Sequence, residues 1–156
     1  MTPTKEQDLL NPVALYAQRK GYMLQKFEMP FFSYRIDLYG YSRTTQSTIA
    51  VELKLRKWRR ALEQARVYQL CSDFVFIALP TISVPLVNLE LLTAEGIGLI
   101  EVGFNKCRLI VPATQSCEVR RHYREPFVDI LEGDIRAGPI SKDNSSTRNP
   151  CGKRVL

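Results

Sequence analysis

The stretch Asp73-Phe74-Val75-Phe76-Ile77-Ala78-Leu79, closed by Pro80, constrains the fold most. It is nearly continuous in apolar residues, yet far shorter than the roughly 20 residues of a membrane span. Such a run suits a central strand buried on both faces. The neighbouring segments agree. Residues 4–20 read as a helix, with Leu9, Leu10, Val13, Ala14 and Ala17 at helical spacing, Pro12 as a kink or late start, and Gly21 as a stop. Strands are expected over 22–28 (ended by Pro30), 34–40, 48–54, 97–102 and 107–111, with helices over 57–71 and 85–95. Residues 118–132 are polar and only weakly helical. The order α-β-β-β-α-β-α-β-β predicts an α/β protein, a mixed sheet flanked by helices.

Composition narrows the class. With 156 residues, 45% hydrophobic and 24% charged, the chain suits one globular domain. The polar N-terminus and the lack of a long apolar stretch predict a cytoplasmic protein with no membrane partner. Net charge is +6, and five basic against two acidic residues lie from Asp134 onward. That segment is rich in Gly, Pro, Ser and Asn, so 134–156 is expected to be a flexible basic tail. No cysteine pair has zinc-site spacing, and Cys71 and Cys107 read as buried thiols in a reducing compartment. His122 is the one histidine, so any metal here is expected to bind oxygen ligands.

The two alternating strands carry the chemistry. On 34–40, Ile36 and Leu38 share one face and Asp37 the other; on 48–54, Ile49, Val51 and Leu53 oppose Ala50, Glu52 and Lys54. Antiparallel pairing with matched apolar faces sets 36 against 53 and 38 against 51. Asp37 then faces Glu52, with Cβ atoms about 5 Å apart. Two carboxylates so placed repel unless a cation lies between them, and hard cations such as Mg²⁺ take such ligands. Lys54 projects on the same face, where a depressed pKa would let it act on an attacking water. The alternative is an ordinary hairpin with a solvated charged face. On the following helix, Lys57, Arg60, Gln64 and Tyr68 form a stripe beside the core-facing Trp58, Ala61, Leu62 and Ala65. That stripe reads either as solvated surface or as a face that tracks phosphates.

Asp37, Glu52-Leu53-Lys54 and Gln64-Ala65-Arg66-Val67-Tyr68 together resemble the PD-(D/E)xK nuclease superfamily, in its RecB-type branch with a QxxxY motif. Ile36 stands where that motif often has proline. The resemblance spans about residues 4–111 and implies a restriction-endonuclease-like α-β-β-β-α-β core. Residues 1–133 would then be a nuclease-like domain. It implies a Mg²⁺- or Mn²⁺-dependent phosphodiester hydrolase, an endo- or exodeoxyribonuclease acting on DNA. Asp37, Glu52 and the Leu53 carbonyl would hold metal, and Lys54 would orient or activate water. Gln64 and Tyr68 would position the nucleic-acid backbone, beside Lys57 and Arg60. Glu6 would be an extra acidic ligand, with Asp8 equally available. Two alternatives stay open: a nuclease-fold binder that does not cut, and a subunit of a DNA-repair, mobile-element or defence complex. A homodimer or such a larger complex is the expected assembly.

Overall fold

The computed structural model describes residues 2–133 and 154–156. Six strands form one sheet in sequential order: β1 (Leu24–Phe31), β2 (Tyr34–Ser42), β3 (Ser47–Leu53), β4 (Phe74–Pro80), β5 (Gly98–Val102) and β6 (Cys107–Val111). β3, β4 and β5 are mutually parallel, and the β1–β2, β2–β3 and β5–β6 pairs are antiparallel. Parallel neighbours need crossovers. α2 (Trp58–Tyr68) and α3 (Leu89–Glu95) lie on them, while α1 (Leu10–Arg19) precedes the sheet and α4 (Arg121–Gly133) follows it. The chain is thus an α/β fold with an α-β-β-β-α-β core and a mixed sheet flanked by helices.

β4 is buried along its whole length, as its apolar run requires. Below it, Leu9, Val13 and Ala17 join Leu38, Ile49, Val51 and Phe76 in one core. On the opposite face Ala61, Leu62 and Ala65 of α2 and Phe127 and Leu131 of α4 cluster with Tyr39, Ala50, Val75 and Ile77. Alternation along β2, β3 and β4 feeds both cores, so each strand holds two helix layers apart. Cys71 is a buried thiol and Cys107 a half-buried one.

Several boundaries differ from expectation. The first helix begins as a 3-10 turn, Glu6–Leu9. Pro12 falls in the first turn of α1, where a missing N–H costs little. β1 runs through Pro30 to Phe31 because it is an edge strand, which tolerates proline. The expected helix at 85–95 divides into a 3-10 segment, Thr81–Leu86, holding Pro85, and α3. Asn88 caps α3 by accepting from Leu91 N at 3.1 Å, and Gly96 ends it at φ 72°. α4 is a full helix rather than a weak one. Arg124 Nε and Nη2 donate to Asp73 Oδ2 at 3.0 and 2.9 Å, and that oxygen also accepts from Thr48 N and Oγ1. This long-range ion pair fixes α4 to the amino-terminal end of β4.

Most of the expected tail, 134–153, lies outside the described residues. Its last residues are paired: Val155 bridges Thr114, and Leu156 N donates to Ala113 O at 3.0 Å. No helix among the described residues is long and apolar enough to cross a membrane.

Candidate active site at the carboxyl ends of the parallel strands

The β2–β3 register is the expected one, with Leu38 opposite Val51 and Tyr39 opposite Ala50. The expected 36–53 pair is not in the ladder. Leu53 N instead donates to Asp37 Oδ2 at 2.7 Å, so a carboxylate replaces a backbone carbonyl where the strands part. Asp37 is thereby fixed by one oxygen beside Glu52.

Glu52 is almost wholly buried, 1% exposed. Lys54 Nζ donates to its Oε1 at 2.7 Å, and the Tyr68 hydroxyl lies 2.9 Å from its Oε2. Burial and then the Glu52 charge push the Asp37 carboxyl up to about 7. Burial also raises Glu52, against the opposing pull of Lys54 and Tyr68. The expected depression of Lys54 is not found. Burial opposes its charge, but the Glu52 carboxylate outweighs burial and holds Lys54 above an ordinary lysine. In this arrangement Lys54 is a proton donor.

The first helical turn supplies a third acid. Glu6 Oε2 lies 3.5 Å from Lys54 Nζ. Asp8, the other candidate, is spent locally: its Oδ2 accepts from Thr4 N and Lys5 N, both at 2.9 Å. Sequence reading missed Glu28. The β1–β2 ladder skips Glu28 between its Phe27–Leu38 and Met29–Ile36 pairs, which leaves it level with Asp37, and its φ is 55°. Its charge adds to the rise at Asp37. Only the pairing of the first two strands brings it there, and local pattern carried no sign of that.

The helical stripe divides. Lys57 and Arg60 are exposed near the start of α2. Gln64 and Tyr68 are not surface groups, being 9% and 0% exposed. α2 settles on the sheet along Ala61, Leu62 and Ala65, and its last turn carries Tyr68 under β2. There the hydroxyl sits between Glu52 Oε2 and Arg35 O. Tyr68 therefore positions Glu52 instead of presenting a hydroxyl to a ligand. Gln64 Oε1 is buried with no hydrogen-bond partner among the described residues. Arg66 is committed to Glu95, and Arg59 stacks on Trp58 at 4.7 Å. Ser83 Oγ donates to Leu55 O and ties the segment after β4 to the loop after Lys54.

Among the described residues no group of three or more His, Cys, Asp or Glu side chains could hold a metal ion. Asp37, Glu52 and the Leu53 carbonyl offer a smaller, all-oxygen set. Two close carboxylates with raised pKa values, one of them paired with Lys54, are the donor chemistry that a hard cation retaining several waters accepts.

No family model matches the chain, and no curated protein matches it. Among solved structures, a protein of unknown function from Silicibacter pomeroyi is similar in fold, with a TM-score of 0.65 at 18% identity, over 86% of this chain and 88% of that one.

Proposed function

We propose that this protein is a metal-dependent nuclease of the PD-(D/E)xK type that hydrolyses phosphodiester bonds in DNA. One observation carries the reading: Glu52, buried at the end of a central strand, is held by Lys54 and Tyr68 beside Asp37. A buried glutamate is costly unless something is done with it. Asp37, Glu52 and the Leu53 carbonyl would hold Mg²⁺ or Mn²⁺. When bound, the cation would supply charge stabilisation at the phosphate and a more acidic water. Lys54, protonated, donates to a phosphate oxygen or aligns the attacking water. Tyr68 keeps Glu52 in one rotamer. Lys57 and Arg60 hold the backbone of the substrate by charge.

The test is incubation of purified protein with labelled single-stranded, duplex, nicked, flapped and junction DNA in Mg²⁺, Mn²⁺ or EDTA. Cleavage that needs the cation and is lost in Glu52→Gln supports the reading. The second reading is a binder that does not cut. It is favoured by the Lys54–Glu52 pair, which already occupies one carboxylate oxygen. Binding of DNA without cleavage in any arm selects it. Membership of a DNA-processing complex is compatible with either.

A further inference from the structure

The β1–β2 turn and the β5–β6 turn both lie at the end of the sheet that carries Glu52 and Lys54. β2 begins there because it runs antiparallel to β3, and β5 ends there because it runs parallel to it. Each turn places a largely exposed aromatic ring at its tip. Phe32 is 63% exposed with φ 52°, and Phe104 is 78% exposed. Four strand spacings separate the two hairpins, roughly 19 Å. The Asp37–Glu52–Lys54 site lies between them.

Phe32 and Phe104 stand at the same end of the sheet as the carboxylates, each at the tip of a hairpin, where a ring can meet a flat apolar group from outside. The charges nearby say which group. Exposed Arg35 follows Phe32, exposed Lys106 follows Phe104, and Lys57 and Arg60 lie near the start of α2, which follows Lys54. Cations interleaved with rings suit a strand whose backbone is anionic and whose bases have open faces. Duplex DNA offers the charge but keeps its bases stacked on one another.

We infer that Phe32 and Phe104 are stacking platforms for unpaired bases, and that the site takes single-stranded nucleic acid. The inference rests on the proposed nuclease reading for its placement, and its test does not use cleavage. Binding of fluorescent oligo(dT), oligo(U) and a matched duplex is followed by anisotropy in EDTA. Phe104→Ala should weaken both single-stranded probes between about fivefold and a hundredfold, the range expected for loss of one base–aromatic stack. Phe104→Trp should restore that binding, and duplex affinity should not move. Oligo(dT) and oligo(U) decide between DNA and RNA. Phe32 also touches Phe31 and Tyr123, at 4.7 and 5.3 Å, so Phe32→Ala is read only beside an unchanged melting curve.

Unchanged single-strand binding in Phe104→Ala overturns the inference, as does an equal loss on duplex. So does a wild type that binds no single strand. Loss in Phe104→Ala by a wild type that never cuts leaves the stacking role standing and removes the nuclease reading. Metal-dependent cutting with unaffected Phe104→Ala binding does the reverse.

Discussion

The Tyr68 hydroxyl lies 2.9 Å from Glu52 Oε2 and 3.0 Å from Arg35 O, wholly buried between α2 and the sheet. Its one proton is shared between two acceptors, and the carboxylate is the stronger. Burial and the Glu52 charge both raise the Tyr68 pKa, so the phenol stays a donor throughout the physiological range. It links the helix to the carboxylate without touching solvent.

Tyr68→Phe should therefore leave Glu52 Oε2 and Arg35 O short of a donor. A stability loss of about 1–3 kcal/mol is expected in urea unfolding. Metal affinity near neutral pH should also fall, because Glu52 loses a partner that favours its charged form. A stability loss with undisturbed metal affinity would make Tyr68 a packing residue only.

pH dependence follows from Asp37. Its pKa rises from an ordinary 3.8 to about 7 in the fold, with burial the largest cause and the Glu52 charge the next. Between those values the folded chain keeps a proton that the unfolded chain has released. The stabilisation from this group is full below about pH 4 and is lost as pH rises through about 7. Glu52 shifts in the same direction. In metal-free buffer, Asp37→Asn should gain on wild type in urea midpoint as pH rises from about 4 to about 7. A gap that does not change with pH contradicts this.

Arg124→Ala tests the anchor of α4. The guanidinium makes two bonds to Asp73, which is itself tied to Thr48. Loss of roughly 1.5–3 kcal/mol is expected for removing bonds to a charged, mostly buried carboxylate. The pair sits at the amino-terminal end of β4, four residues before Ile77, which Glu52 faces across the ladder, so metal binding in the folded variant should match wild type.

The start of α2 should bind backbone without reading sequence. Lys57→Ala combined with Arg60→Ala should weaken DNA binding on every sequence alike. The salt slope should flatten by about 0.9 for each duplex phosphate that the protein no longer neutralises. An unchanged slope would leave both residues as plain solvated surface.

What was legible in the sequence was what local alternation encodes. The faces of β2 and β3 bring Asp37, Glu52 and Lys54 together in advance of any coordinates. The apolar run 73–79 fixes a buried central strand. The rest depends on packing between distant segments. Spacing alone put Tyr68 on a stripe with Lys57 and Arg60, but the roll of α2 on the sheet buries the end of that stripe. Glu28 reaches the site only through the register of β1 against β2. The α4 helix has a short apolar stripe, and an ion pair 51 residues away in sequence fixes its position. The pairing of Val155 with Thr114 likewise has no local signal.

The most direct test is the rate of DNA cleavage in saturating Mg²⁺ by wild type and by Lys54→Met, measured on the same bound substrate. Both carboxylates remain in the variant, so metal and DNA should still bind. Wild type should cut, and the variant should be slower by at least about a hundredfold, the scale expected for removing a positioned charge donor. Equal rates would contradict the role of Lys54. No cutting by wild type on any DNA structure would contradict the nuclease assignment itself.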